Sequence, residues 1–195
     1  MSPRPLKMAL PPAGERLEEQ LRLLKLTRIA PVLDSIAQAC AREKAGYLDF
    51  LSRLLEIELE ERRERKVDLL QRFAAFPYKK SLEQFDFDFQ PTVDRRLIAD
   101  LATLRFLDHA ENVILVGPPG TGKTMISIGL GLKATEAGRR VLFTTADDLV
   151  GALSRAFEEN RLEEKLKVYT NPSLLIIDEI GYLPLDKLQS NLLFQ

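Results

Sequence analysis

The sequence predicts a parallel α/β domain that follows a small all-helical module, and three observations support that prediction. Leucine and isoleucine recur at helical spacing between about residues 15 and 76. Three short apolar runs of the kind buried in parallel sheets follow at residues 112–117, 141–144 and 173–178. A glycine-rich loop begins where the first run ends. This order of patterns favours a parallel sheet with helices on both faces.

The composition is that of an ordinary globular chain, with 45% hydrophobic and 29% charged residues in 195. Residues 1–80 carry 16 basic and 12 acidic side chains, whereas residues 81–195 carry 12 and 17. The basic excess weakly favours a nucleic-acid or other acidic partner for the first part, although ordinary solvated helix faces explain it equally well. Without a signal peptide or an apolar run of about 20 residues, the expected compartment is the cytoplasm, with no membrane partner.

The single cysteine and the single histidine limit the chemistry. Cys40 excludes an internal disulfide, and its helical spacing from Ile36 gives it a core position. His109 is expected at the surface or at a helix end, which argues against Ser-His or Cys-His catalysis. No Cys/His cluster indicates a metal site.

The helical module is predicted at residues 15–77, after a flexible proline-rich tail at residues 1–14. Its longest helix should run from about Tyr47 to about Phe76 and end before Pro77. Within it, "EIELEERRERK" places acids four residues before arginines, at Glu58–Arg62 and Glu61–Arg65. This run is interpreted as a solvated surface that pairs with itself, with a nucleic-acid face as the alternative.

The α/β domain is predicted at residues 78–195 and opens with "YKKSLEQFDFDFQP", residues 78–91. Phenylalanines alternate with acids there, which suits an extended segment laid along another surface. The segment is either a linker packed by its aromatic side chains or a wall of a nucleotide's base pocket. A helix is expected next, at about residues 93–109.

The glycine-rich loop matches G-x-x-x-x-G-K-[ST], a phosphate-binding motif, and lies between a predicted strand and a predicted helix, as the motif requires. Its residues are Gly117, Pro118, Pro119, Gly120, Thr121, Gly122, Lys123 and Thr124. Glycines let backbone N–H groups approach phosphate oxygens, and the positive end of the following helix faces the anion. Lys123 should reach the outer phosphates, and the Thr124 hydroxyl should ligate Mg²⁺.

Two carboxylates, Asp178 and Glu179, end the third apolar run. An aspartate at the end of a buried strand holds the Mg²⁺ hydration shell in nucleotide hydrolases. A glutamate beside it can orient and deprotonate the attacking water. The sequence therefore predicts Lys123 and Glu179 as catalytic residues and Thr124 and Asp178 as the metal site, with ATP and Mg²⁺ as cofactors.

The stretches "VILVGPPGTGKT", "VLFTTADDLV" and "LLIIDEIGYLPLDKLQSNLLFQ" resemble the IstB-like ATP-binding helper proteins of insertion-sequence transposition. That family is similar to the DnaC helicase loaders and lies within the AAA+ ATPases. The resemblance covers nearly the whole chain. It implies ATP-dependent self-assembly on DNA, target-site selection and stimulation of a partner transposase. We expect the DNA binding to be sequence-tolerant, because phosphate contacts would carry it.

The resemblance also implies where DNA would bind and what would follow Glu179. Relatives contact DNA with the helical insert between the second and third strands, which makes candidates of Arg155, Arg161, Lys165 and Lys167, although solvated helix faces also explain these cations. Family members continue with a further strand, lying between the strands at 112–117 and 174–178, and with an arginine that reaches a neighbouring subunit. This sequence ends after a helix expected at about residues 186–194, so we expect a C-terminally incomplete core in which those two strands do not pair.

Three other functions stay open. A helicase-loader-like ATPase of replication and a truncated regulator that binds nucleotide without turnover share all of these motifs. A small-molecule kinase shares the loop but needs an acceptor-binding lid and no adjacent Asp-Glu pair. A GTPase is disfavoured because no Asn-Lys-x-Asp segment is present. The sequence predicts ATP binding and leaves hydrolysis open.

Overall fold

A computed structural model of the chain describes residues 13–182, and the chain divides into two compact units between residues 65 and 66. The first unit holds helix α1, Ala13–Leu23, helix α2, Ile29–Glu43, and the first part of helix α3, Tyr47–Phe73. The division falls inside α3 and does not test the domain boundary predicted between residues 77 and 78, which stays a prediction.

The first unit has a small apolar core formed by the helical leucine and isoleucine pattern. Leu21, Ile29 and Leu54 are buried together, one from each helix. Cys40 is also buried, as its spacing predicted. The first two residues of α1 belong to the predicted flexible tail, so the helix begins before residue 15. The rest of that tail, and the helix predicted at residues 186–194, lie outside the described residues.

The charged run of α3 pairs with itself, as predicted, but it is not a solvated surface throughout, because the Glu58 side chain is buried. Arg62 Nε donates to Glu58 at 3.1 Å, and Arg65 Nε donates to Glu61 at 2.7 Å. Glu58 is buried and also accepts the backbone N–H of Arg28, the residue that precedes α2. Arg28 Nε donates to Glu61 at 2.6 Å, and this hydrogen bond lowers the pKa of the Glu61 carboxyl. The run therefore ties α3 to the start of α2.

The second unit is an α/β arrangement that begins with the remainder of α3. It contains a 3₁₀ turn at Leu82–Gln84, α4 at Arg95–Leu101, α5 at Arg105–Asp108, α6 at Lys123–Glu136, β1 at Val141–Thr145, α7 at Ala146–Glu158, α8 at Leu162–Thr170, β2 at Leu174–Asp178 and a 3₁₀ turn at Ile180–Tyr182. Strands β1 and β2 are parallel, with Val141 opposite Leu174 and Thr145 opposite Asp178.

Consecutive side chains of β2 show that helices cover both faces of the sheet. Ile176 packs with Ile128 and Leu132 of α6. Ile177 packs with Leu149 and Leu153 of α7. Neighbouring strand residues point to opposite faces, so α6 and α7 lie on opposite sides of the sheet. This confirms the predicted α/β class.

The strand predicted at residues 112–117 is absent. The segment has no strand partner among residues 13–182, and Ile114 and Val116 are 82% and 89% exposed. Only Leu115 packs against a core cluster. A strand needs a neighbour for its backbone groups, and within residues 13–182 the two strands, β1 and β2, pair only with each other. The expectation that residues 112–117 do not pair with residues 174–178 is therefore confirmed.

Two further predictions differ from the structure. The single helix expected at residues 93–109 is broken into α4 and α5, because Leu104 takes a left-handed conformation with φ of 63°. Helix α3 ends at Phe73 rather than Phe76, and Ala75 is left-handed just beyond it. His109 follows α5 as its capping residue and is exposed, as predicted.

Candidate nucleotide-binding site

The loop at residues 117–122 enters α6 through two glycines in the left-handed region. Gly120 has φ of 79° and Gly122 has φ of 83°, conformations that residues with a side chain rarely adopt. Gly122 is the N-cap of α6, so the unpaired backbone N–H groups of the first helical turn open onto the loop. The Thr121 hydroxyl donates to the carbonyl of Pro118 at 2.9 Å and closes the loop on itself. Such a loop suits an anion.

Lys123 spans the loop that precedes it. Its Nζ donates to the carbonyl oxygens of Gly117 at 2.8 Å and Pro118 at 2.7 Å. An ammonium group has three donors, so one hydrogen stays available after these two contacts. The cation is thus held beside the N-terminus of α6, where both the charge and the helix dipole favour a bound phosphate.

Thr124 and Asp178 meet although 54 residues separate them in the chain. The Thr124 hydroxyl donates to Asp178 Oδ2 at 2.7 Å. Thr124 lies in the first turn of α6 and Asp178 ends β2, so the loop and the carboxyl edge of the sheet converge at one place. The predicted metal residues are therefore neighbours.

Glu179 directly follows this contact. Its backbone N–H donates to Asp178 Oδ1 at 3.0 Å, and its φ of 61° places it in the left-handed region. Its side chain is exposed, and no residue between 13 and 182 hydrogen-bonds its carboxylate. The two carboxylates thus differ: Asp178 is bonded to the loop helix, and Glu179 faces solvent.

Residues of the phenylalanine-rich segment contact the loop. The sequence predicted that this segment lies along another surface but did not identify that surface as the loop. Phe85 is buried and lies against Gly122, so it belongs to the protein core. Gln90 Nε2 donates to the Gly120 carbonyl at 3.5 Å. The segment is not the extended run that alternation predicted, since it folds into a 3₁₀ turn and Phe89 is exposed.

Tyr78 begins the segment that the sequence offered as a linker or as a wall of a base pocket. Burial raises the pKa of its phenol, and the negative charge of Asp178 raises it further. The phenol therefore lies within electrostatic reach of the predicted metal residue. No motif marks this position, because the tyrosine belongs to the segment after α3.

The four cations considered for DNA contact fall into two groups. Arg155, Arg161 and Lys165 line one cleft of about 440 Å³ between α7 and α8, together with the carboxylates of Glu159 and Glu164. Arg161 forms an ion pair with Glu159, whereas Lys165 lies 5.7 Å from the ring centre of Tyr169. Lys167 is exposed on α8 but does not line the cleft.

Comparison with known proteins assigns this loop and carboxylate pair to a family. The model of the IstB-like ATP binding protein family matches residues 19–195. This chain belongs to the IstB-like family. The fold described above is accordingly that of its P-loop ATPase domain, preceded by helices.

Relatives from three bacteria support the same family. A protein of Geobacillus stearothermophilus, named for ATP binding in insertion sequence IS5376, is 42% identical over 181 residues, which are 93% of this chain and 72% of the relative. Its counterpart from IS21 of Pseudomonas aeruginosa is 42% identical over 92% of this chain and 68% of its own length. The counterpart from IS232 of Bacillus thuringiensis is 37% identical over 93% and 72%.

Within residues 13–182, no helix combines the length and the apolar character needed to cross a bilayer.

Proposed function

We propose that this chain binds Mg·ATP at Gly117–Thr124 and acts as an ATP-dependent helper of insertion-sequence transposition. The observation that supports this most directly is the hydrogen bond between Thr124 and Asp178. It joins a phosphate loop to a strand-end carboxylate, as a nucleotide hydrolase of this type requires. The names of the relatives, which combine ATP binding with insertion sequences, point to the same role.

The chemistry of the two side chains fits Mg²⁺. This ion prefers oxygen ligands and is usually held by one or two carboxylates together with waters and substrate phosphates. The Thr124 hydroxyl and the Asp178 carboxylate would hold it. Their oxygens are 2.7 Å apart, close enough for both to approach one bound ion. When bound, the ion neutralises charge on the phosphate oxygens. Lys123 would contribute a second positive charge beside them.

Glu179 is the proposed general base. A carboxylate that follows the metal residue directly can accept a proton from the water that attacks the terminal phosphate. Its exposed side chain, with no hydrogen-bond partner among the described residues, is free to take that proton. Asp178, by contrast, is engaged with Thr124 and is suited to the metal.

The proposed DNA-binding surface is the cleft between α7 and α8. Glu159 and Glu164 line the cleft as well, and Glu159 pairs with Arg161. Arg155 and Lys165 are therefore the two cleft cations without an ion-pair partner among residues 13–182. Both suit phosphate contacts, which carry no sequence information. Duplex DNA would bind with little sequence preference, ATP would favour assembly of several copies on it, and a transposase would be the downstream partner. A helicase loader would share the ATP and DNA contacts and differ in that partner.

The test is ATP turnover measured with and without duplex DNA, beside titration with a fluorescent ATP analogue. The proposal predicts saturable Mg²⁺-dependent binding and turnover that rises with DNA. Binding without any turnover would support a binding-only regulator instead. Turnover that depends on a small acceptor molecule and not on DNA would support a kinase. Absence of binding would overturn the whole proposal.

A further inference from the structure

Three glycines of α6 and its N-cap receive side chains from one segment of the chain. We call residues 76–90 the strap. A β-carbon on Gly122 would lie 2.5 Å from Phe85 Cε2. One on Gly129 would lie 2.6 Å from Leu82 Cδ2, and one on Gly131 would lie 2.8 Å from Phe76 Cε1. Distances this short are not found for real β-carbons, so the strap occupies the space that side chains at these glycines would fill.

Polar contacts hold the strap to the same helix and loop. Glu83 accepts from Lys133 of α6 at 2.7 Å. Gln90 donates to the carbonyl of Gly120 in the loop. The strap therefore contacts the loop at both of its left-handed glycines, through Gln90 at Gly120 and through Phe85 at Gly122.

Phe85 is itself fixed in place from several sides. It is buried in a cluster with Leu82, Ile98, Ile126 and Leu130. Its ring meets the ring of Phe87 edge-on, with centroids 4.8 Å apart. The guanidinium of Arg95 lies 4.8 Å from the Phe87 ring centre. A ring held this way is a rigid support for the backbone beside it.

We propose that Phe85 is a positioning residue for nucleotide binding. Its ring edge fixes the left-handed turn at Gly122, which sets the direction in which α6 begins. Lys123 and Thr124 are the first two residues of that helix, so the same contact aims the lysine, the hydroxyl and the first helical N–H groups. The inference rests on the proposed nucleotide binding at this loop.

The physical reason for an effect is preorganisation. Without the ring, the turn at Gly122 gains conformational freedom, because glycine restricts its own backbone least. Nucleotide binding must then restrict that freedom, and affinity falls accordingly. A residue that acts only through core stability would lower the folded fraction and leave the affinity of folded molecules unchanged.

The experiment compares Phe85→Leu with Ile98→Ala in the full chain. Ile98 is buried in the same cluster, but the three atoms nearest to a β-carbon on Gly122 all belong to Phe85, so Ile98 serves as the matched control for lost core packing. With Mg·ATP titrated at a temperature where thermal unfolding shows all variants folded, Phe85→Leu should weaken binding by roughly tenfold. Ile98→Ala should stay within about twofold of the parent chain.

Several outcomes would overturn the inference without touching the proposed function. Equal affinity of Phe85→Leu and the parent chain would do so, as would equal losses in both variants. If Phe85→Leu does not fold, amide hydrogen exchange of the parent chain decides: Mg·ATP should slow exchange at residues 85–90, and unchanged exchange overturns the inference. The proposed function is tested separately, since it fails if the parent chain does not bind Mg·ATP or if Lys123→Ala binds it as tightly as the parent chain.

Discussion

The phosphate-loop half of the site and the carboxylate half differ in how firmly the chain holds them. The loop is closed by Thr121, spanned by Lys123 and supported at Gly122 by Phe85. At the other half, Asp178 is bonded to Thr124, but the Glu179 carboxylate has no partner among residues 13–182. The contrast suggests that the proposed phosphate site is formed by local contacts, whereas the proposed base, Glu179, would be aligned only when the substrate binds.

The largest expected effect tests the carboxylate half. Glu179→Gln keeps size and polarity but cannot accept a proton, so turnover should fall by roughly 10²–10⁴ while nucleotide affinity hardly changes. Steady-state phosphate release and analogue titration measure the two quantities separately. Turnover at the parent rate would show that Glu179 is not the base. The carboxylate half of the site would then not be the half that activates water.

The next effect tests the loop half. Lys123→Ala removes the cation that spans Gly117 and Pro118, and Mg·ATP affinity should fall about tenfold or more, about 1.4 kcal/mol. A fluorescent ATP analogue reports the change directly. The matched control is Lys167→Ala, which removes an exposed lysine of α8 that makes no hydrogen bond to the loop. If both lysines matter equally, local loop geometry is not what binds the phosphates.

A third prediction asks whether a separate surface serves DNA. The logarithm of DNA affinity should fall linearly with the logarithm of salt concentration, and Lys165→Ala should reduce that slope by about one. Lys167→Ala is the control, because Lys167 lies on the same helix but outside the cleft. Affinity that is independent of salt, or equal slopes for the two variants, would argue against phosphate contacts in this cleft.

The smallest effect concerns the strap that supports the loop. The hydrogen bond from Lys133 lowers the pKa of Glu83 to about 2, from 4.5. A depressed carboxyl pKa adds stability that is full above pH 4.5 and is lost as the pH falls toward 2. Glu83→Gln should therefore lose less stability than the parent chain between pH 5 and pH 2.5, in thermal melts. Glu136→Gln should change this acid slope less, since Glu136 is 3.7 Å from Lys133.

Local patterns predicted where the residues of the candidate site lie, because most of them belong to short continuous stretches of the chain. Their roles in binding and catalysis stay predictions. The loop, the start of α6 and the strand-end carboxylates are each specified by neighbouring residues, and β2 added the long-range contact to Thr124. The charged pairs of α3 followed equally from four-residue spacing. Their partner Arg28 did not, because it lies at the start of another helix, 33 residues before Glu61.

What the sequence could not predict depends on distant partners. "NVILVG" is as apolar as the run that forms β2, yet it is not a strand. A strand forms only where a neighbouring strand pairs with its backbone, and the sequence of one segment does not identify that neighbour. Phe85 contacts Gly122, and the charge of Asp178 raises the pKa of Tyr78. Both effects arise because segments far apart in sequence pack together. The helix break at Leu104 was likewise not predicted, because no glycine or proline lies there.

The end of α3 has a consequence for how the sheet meets other chains. The carbonyl of Ala74, one residue beyond the helix, accepts the N–H of Phe143 at 2.8 Å in the middle of β1. This bond uses a backbone group on the edge of β1 that faces away from β2, and free edges of this kind invite strand pairing between molecules. The Ala74 carbonyl thus occupies the Phe143 N–H, and a strand from another molecule must displace this carbonyl before it can pair with β1 at that position.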